Sequence, residues 1–328
     1  MKLHQNKTPN GFTLIELLVS MVITTIIISV LVAVTVTSLD IWNRNRSEVR
    51  ASLQGKAMVD SMAADFESMV VRRGNDYQWL IAEFAPPSEG PNSNQSPSAL
   101  NLIFFSAATD RYNGQVGEKD AGGQPVSGKD GLPVDKGGDI SGVGYQLIYK
   151  DPISDQSNDN YKTFVLYRNL VNPDLAFKDL LGKDGKNGGP SLKAAFTPYA
   201  EGGAQPLDAV ENFVCENVYQ FTVKFHIDVM IQDTSVPPKS ITKNVSVSLN
   251  SGETFIVTGN GLTSPAASTL TAAQLATGKL SAVEVSLTVL TDGALKQLRG
   301  RNFTAEQLSD FIAQNSYQYS KLIPVPSY

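Results

Sequence analysis

An uncharged apolar run near the N-terminus constrains this chain more than any other feature of its sequence. From Leu17 to Leu39 there are 23 residues without a charged side chain, Pro or Gly. As a helix, the run is about 35 Å long, which is enough to cross the hydrocarbon core of a bilayer. Its many Ile and Val residues disfavour a helix in water, but in lipid every backbone polar group needs a partner within the chain. The sequence therefore predicts a membrane-spanning helix.

A secretory signal peptide is the alternative interpretation of this run. Signal peptides have apolar cores of about 7–15 residues, followed by a cleavage site of small residues. Here the run is longer, it continues into an amphipathic stretch, and a carboxylate, Glu16, stands at its front. These features argue against a removable signal.

The charges that flank the span do not by themselves decide its orientation. Lys2 and Lys7 precede it, and three arginines follow it closely, so the positive-inside rule is ambiguous. The short leader and the long polar body favour a cytoplasmic leader and a body on the other side of the membrane.

Composition excludes several classes of protein. With 27 Lys and Arg against 32 Asp and Glu, the net charge is −5, and the sequence has no dense basic cluster, so nucleic-acid binding is not expected. Cys215 is the sole cysteine, which excludes an internal disulfide and a cysteine-based zinc site. The sequence has two histidines, His4 and His226, so there are few candidates for the catalytic base of a hydrolase.

The residues just before the span carry a family resemblance. The segment Lys7–Val19, KTPNGFTLIELLV, resembles the N-terminus of type IV pilins and of type II secretion pseudopilins. The resemblance implies that residues 1–11 are a leader, which a prepilin peptidase removes by cutting between Gly11 and Phe12. It also implies that the same enzyme methylates the new amine of Phe12.

The chemistry of this motif can be argued from its residues. Gly11 lacks a Cβ, so its backbone can closely approach a protease. Glu16 is an ionisable group in an apolar helix, which is costly unless it is paired. In a staggered filament, Glu16 of one subunit can neutralise the Phe12 amine of the next, and we expect Glu16 to act in assembly.

The resemblance also implies partners and a location. The expected partners are the prepilin peptidase, other pilin or pseudopilin subunits, and the inner membrane, with the head in the periplasm or at the cell surface. In its large head and in the absence of proline from its span, the chain is most similar to minor subunits. These are the J-type pseudopilin, the W-type minor pilin, or a Verru_Chthon cassette protein.

Beyond the span, the helical pattern continues. Apolar residues recur at helical spacings on one side, at Trp42, Val49, Leu53, Met58, Met62, Phe66 and Met69. We predict a leader at 1–11, a transmembrane helix at 12–40, an amphipathic extension at 41–73 and a globular head at 74–328.

The sequence of the head predicts mostly β-structure. Alternation of apolar and polar residues predicts strands at Leu100–Ser106, Gly144–Lys150, Thr163–Val171, Tyr219–Ile231, Val245–Leu249 and Val283–Val289. The predicted fold class is α+β, with an antiparallel sheet packed on the long N-terminal helix.

Gly- and Asp-rich stretches predict loops at 86–98, 107–142 and 173–212. Thr304 and Gln307 predict the start of a helix that extends to Asn315. The tail from Ile323 contains two prolines and is predicted to run over the surface.

No catalytic or binding constellation emerges from the head. The acidic loops, with Asp151, Asp155 and Asp159 in one and residues 183–188 in the other, lack a defined calcium-loop spacing, so we predict no metal site. His226 falls on the polar face of a strand, and Cys215 is expected to be a small buried hydrophobe. We predict no cofactor and no enzymatic activity.

Two other classes of protein remain open at this point. One is a single-pass membrane protein whose extracytoplasmic domain binds a ligand, in which Gly11 and Glu16 are coincidental. The other is a secreted enzyme, whose mature chain starts well beyond Leu39.

Overall fold

The computed structural model describes residues 13–107, 140–153, 161–186, 189–203, 206–232, 240–263, 265 and 270–326. The chain divides into two compact units, Met1–Val49 and Arg50–Tyr328. The long helix α1, Leu14–Glu67, supplies the described part of the first unit and the first element of the second.

The second unit, the head, contains the remaining elements. Its strands are β1 (Gln78–Phe84), β2 (Leu100–Ser106), β3 (Ser141–Lys150), β4 (Thr163–Val171), β5 (Phe213–Glu216), β6 (Val218–Gln232), β7 (Ser240–Ser248), β8 (Thr254–Thr258), β9 (Gly261–Thr263), β10 (Lys279–Leu290) and β11 (Ser316–Pro324). Its helices are α2 (Pro173–Leu175), which continues as a π-turn over Ala176–Leu180, α3 (Leu192–Ala195), α4 (Ala272–Thr277), α5 (Asp292–Gly300) and α6 (Ala305–Asn315), with short 3₁₀ turns at Pro91–Ser93, Thr197–Tyr199 and Val210–Asn212.

Within the described residues these strands form two antiparallel sheets. Sheet 1 has seven strands in the order β5-β4-β3-β2-β1-β8-β9, and sheet 2 has four in the order β11-β10-β6-β7. The predicted α+β class with a helix on antiparallel β-structure is confirmed, although the sequence suggested one sheet where the structure has two.

The head core lies between the two sheets and the C-terminal half of α1. Phe66 of α1 stacks on Phe104 of sheet 1, with 4.6 Å between ring centroids. Phe225 of sheet 2 stacks on Phe255 of sheet 1 at 4.3 Å. Met58 and Met62 of α1 are buried in the same cluster, so one apolar core joins the helix to both sheets.

Sheet 1 is buried on its other face as well. There the strands contribute Trp79, Ile81 and Tyr167 to a second apolar cluster, which is covered by residues of the segment between β4 and β5. The covering side chains are Leu180, Leu192, Phe196, Tyr199 and Leu207. The predicted loop over 173–212 is therefore wrong in part, because this segment folds into short helical turns that have to cover the face of a sheet.

Most predicted strands are confirmed. β2 and β4 have the predicted bounds, and β3, β6 and β10 extend the predicted runs by a few residues. β7 covers most of the predicted Val245–Leu249 run but begins earlier, at Ser240. Helix α6 is capped as expected, since the Thr304 hydroxyl accepts from the backbone N–H of Gln307 at 3.3 Å.

The long helix ends at Glu67 and not near Arg73. The backbone after it joins sheet 1, where Met69 forms a bridge with Ser106 and the Val70 N–H donates to the Phe105 carbonyl at 2.9 Å. Of the predicted apolar stripe, Trp42, Val49 and Leu53 are exposed. Gly55, which is not part of that stripe, is buried beside Tyr319 of sheet 2.

The tail also differs from the prediction. Ser316–Pro324 form the edge strand β11, in which Ile323 is fully buried beside β10. Proline is compatible with this position, because an edge strand needs only one of its sides for pairing. Most of the predicted loop at 107–142 lies outside the described residues.

Candidate functional site

The first turn of α1 holds the one predicted processing or assembly residue that the structure describes, Glu16. Gly11 and Phe12 lie outside the described residues. The Glu16 carboxylate accepts from the backbone N–H of Thr13 at 3.0 Å and from its hydroxyl at 2.9 Å. In return, the Thr13 hydroxyl accepts from the Glu16 N–H at 3.3 Å. This reciprocal arrangement is a capping box, which places the carboxylate beside the start of the helix.

The apolar run forms an uninterrupted helix whose side chains are exposed in the isolated chain. Its hydroxyl groups bond back to the preceding turn: Thr24 donates to the Ser20 carbonyl at 2.7 Å and Ser29 to the Thr25 carbonyl at 2.8 Å. These bonds satisfy the hydroxyls within the helix. By length and composition, α1 can cross a membrane.

Two side-chain pairs follow the run, one an ion pair and the other a contact between a cation and an aromatic ring. Arg44 Nε donates to Glu48 Oε1 at 2.9 Å, an ion pair across one helical turn. Arg46 instead lies over the indole of Trp42, with its guanidinium carbon 5.7 Å from the ring centroid. Such stacking is attractive because the face of an aromatic ring carries partial negative charge.

In the head, one buried carboxylate ties α1 to sheet 1. Asp65 accepts two hydrogen bonds from Arg168, at 2.6 Å from Nη2 and 2.8 Å from Nε, and a third from the hydroxyl of Tyr145. Burial, and next the charge of Asp65, hold the pKa of Tyr145 well above its usual value. Tyr145 therefore stays protonated and donates to the carboxylate.

Sequence reasoning missed this cluster, although one signal for it was present. Asp65 stands on the apolar side of the helix, three residues after Met62 and directly before Phe66. An acidic residue at such a position has to find a cation or hydrogen-bond donors in the fold. No local pattern identifies Arg168, which lies on a strand far along the chain.

The acidic loops show turn geometry where they are described. Asp151 Oδ1 accepts from the Ile153 N–H at 3.0 Å, and Asp184 Oδ1 accepts from the Lys186 N–H at 3.0 Å. Asp155 and Asp159 lie outside the described residues. Within the described ranges, no group of three or more His, Cys, Asp or Glu side chains could hold a metal ion.

His226 and Cys215 occupy ordinary structural positions. His226 lies on the polar face of β6, where its Nδ1 is 3.2 Å from Asn244 Oδ1 and its Nε2 is 3.7 Å from Glu284 Oε2. It therefore has neighbours that the sequence did not reveal. Cys215 is fully buried in β5, and burial raises the pKa of its thiol to about 12.

Comparison with known proteins bears on the N-terminal segment. The family described as "Prokaryotic N-terminal methylation motif" matches residues 6–32, a range that includes Gly11, Phe12 and Glu16. The N-terminal segment is type IV pilin-like. From Leu14 on, the matched range lies within α1, which is long enough to anchor the chain in a membrane as a single span.

A second comparison covers more of the chain. A type IV-like pilin from Thermus thermophilus aligns with 84% of this chain and 97% of its own, at 10% identity and a TM-score of 0.29. A TM-score this low does not establish a shared fold. No curated protein matches the chain.

Proposed function

We propose that this chain is a minor pilin-like subunit that is cut after Gly11, methylated on Phe12, and then joins or initiates a filament of the type II secretion or type IV pilus kind. The observation that carries the proposal is the methylation motif at 6–32, which continues directly into α1. In this proposal the head lies in the periplasm or at the cell surface, and the partners are a prepilin peptidase and other pilin-like subunits.

The geometry of Glu16 supports a role in assembly. Its carboxylate is bonded within its own subunit to Thr13, the residue that follows the proposed new N-terminus. A carboxylate has lone pairs for further donors, so a neighbouring subunit's amine can approach without displacing the Thr13 bonds. Pairing would remove two uncompensated charges from the apolar core of a filament.

We propose further that the head acts through binding and not through catalysis. Its buried polar cluster is structural, because Asp65 is fully engaged by Arg168 and Tyr145. The described cysteine is a buried thiol with a raised pKa, which is the opposite of a reactive nucleophile.

Processing is tested by intact-mass spectrometry and N-terminal sequencing of the membrane fraction, with and without a co-expressed prepilin peptidase. We expect a chain that starts at Phe12 and carries one added methyl group, and only when the peptidase is present. A Gly11→Ala variant is expected to remain uncut. A wild-type chain that keeps Met1 would favour a single-pass binding protein, and one that starts beyond Leu39 would favour a secreted protein.

Assembly is tested with two variants that each neutralise one acid at an end of the span. Glu16→Gln is expected to insert in the membrane normally, as judged by carbonate extraction, but to lose most cross-linking to other subunits. Asp40→Asn is the control and is expected to assemble like the wild type. Equal assembly by both variants would contradict the role of Glu16.

A further inference from the structure

The turn that follows the apolar run presents an aromatic ring and a cation on one side of α1. Trp42 is 58% exposed, and Arg46 lies one helical turn further along, over its ring. Residues four apart share a helix face. Tryptophan is enriched where a membrane meets water, and basic residues beside a span are attracted to anionic lipid.

Arg46 differs from the two neighbouring arginines in what it contacts. Arg44 is paired with Glu48, and Arg50 forms an ion pair with Glu216. In the described parts of the chain, Arg46 has no carboxylate partner and contacts the indole instead. The charges of Arg44 and Arg50 are thus compensated within the protein, whereas that of Arg46 is available to an external anion.

The distances of Trp42 and Arg46 from the end of the apolar run fit the dimensions of a membrane surface. Trp42 lies about 4.5 Å and Arg46 about 10 Å beyond Leu39, measured along the axis. The polar layer on each side of a bilayer is about 5–7 Å thick, and an arginine side chain can extend back over that distance. With the apolar run in the hydrocarbon, Trp42 falls near its boundary. The guanidinium of Arg46, which extends back over the Trp42 ring, reaches the level of the lipid phosphates.

We propose that Trp42 and Arg46 form a phospholipid headgroup site, in which the guanidinium binds the phosphate of an anionic lipid and the indole lies at the edge of the hydrocarbon. The inference rests on the proposed function, since it requires α1 to span a bilayer. The site sets how deeply the helix is drawn into the membrane and selects the lipids that surround the subunit.

The test uses the full chain in phosphatidylcholine vesicles that contain a fixed fraction of brominated lipid, either phosphatidylglycerol or phosphatidylcholine. Bromine quenches an indole that it contacts. Trp79, the other tryptophan, is 2% exposed in the head, so Trp42→Phe measures its background. We expect brominated phosphatidylglycerol to quench Trp42 with about a fivefold preference, as one basic residue at an anionic surface supplies.

Two arginine variants form a matched pair. Arg46→Gln is expected to abolish the preference for phosphatidylglycerol, and Arg44→Gln to retain it, because Arg44 is already paired with Glu48. A preference that persists in Arg46→Gln would overturn the inference. So would an unquenched Trp42 in a protein that floats with the vesicles, and that result would leave the proposed membrane anchor intact. A protein that does not float with vesicles would overturn the proposed function and the headgroup site together.

Discussion

The contact between Asp65 and Arg168 allows the strength of the link between α1 and sheet 1 to be predicted. The two side chains are 4% and 12% exposed, so solvent screens their charges little. Asp65→Asn keeps the shape of the side chain but removes the negative charge that the buried guanidinium of Arg168 contacts. Losing one partner of a buried pair costs about 3–5 kcal/mol, and we expect the free energy of unfolding to fall by this amount.

Three further variants at this cluster, two single and one double, follow from the same geometry. Arg168→Met leaves the carboxylate without its cation, and we expect a similar loss of about 3–5 kcal/mol. Tyr145→Phe removes one hydrogen bond to a charged group and keeps the ring, so its cost is smaller, about 1.5–3 kcal/mol. Asp65→Asn combined with Arg168→Met is expected to cost less than the sum of the single changes, because each single change already breaks the same contact.

The measurement is urea unfolding of the detergent-solubilised full chain, in a Trp42→Phe background so that emission comes from Trp79 alone. Trp79 packs edge-on against Phe105 in sheet 1, with 5.6 Å between ring centroids, and therefore reports on the sheet that α1 contacts. Lys321→Met is the control. It breaks an exposed pair between Lys321 and Asp60 in the same head, and we expect almost no effect. If Asp65→Asn and Arg168→Met destabilise no more than Lys321→Met, the reasoning about buried charge is refuted.

Three further predictions concern the head. Burial raises the pKa of Tyr219 to about 12, above its value of about 10 in an unfolded chain, so stability should fall as the pH rises from about 10 to 12. Melting temperatures across that range should fall less in Tyr219→Phe. Cys215 should not react with a thiol reagent at pH 8 in the native protein but should react after unfolding, and reaction in the native state would contradict its burial. Gly55→Ala should lower the melting temperature although alanine favours helices, because its Cβ would lie 2.6 Å from the ring carbons of Tyr319. Gly300→Ala, where the added Cβ meets open space, is the control that should not lower it.

Local patterns predicted the elements whose two faces differ. β6 alternates strictly because one of its faces lies in the core and the other in water, and the predicted strand agrees with the structure within one residue at each end. The capping residues of α6 were equally readable, since Thr304 and Gln307 act within one turn.

Several strands were missed, among them one inside a sheet and one at an edge. β1, with the sequence QWLIAEF, lies inside sheet 1 between β2 and β8, so its two faces are both apolar and no alternation marks it. The end of β11 was predicted to belong to a surface tail because it contains Pro324. Its pairing with β10 makes it part of a strand.

The functional and structural residues described above also differ in whether their contacts are local in the sequence. Glu16 and the apolar run that follows it depend on contacts within a few residues, so their chemistry could be argued from the sequence. The partner of Asp65 could not, because the charge pair forms between a helix and a strand that are separated by 103 residues.

The sequence by itself determined the N-terminal motif, the membrane-length helix and the α+β class, because each depends on a short-range pattern of polarity or on one turn of backbone. Only the tertiary structure decided that the strands form two sheets, that α1 ends at Glu67, and that Arg168 neutralises Asp65. These features depend on burial and hydrogen bonds between residues that are distant in the chain. Which of those residues meet is set by the fold as a whole.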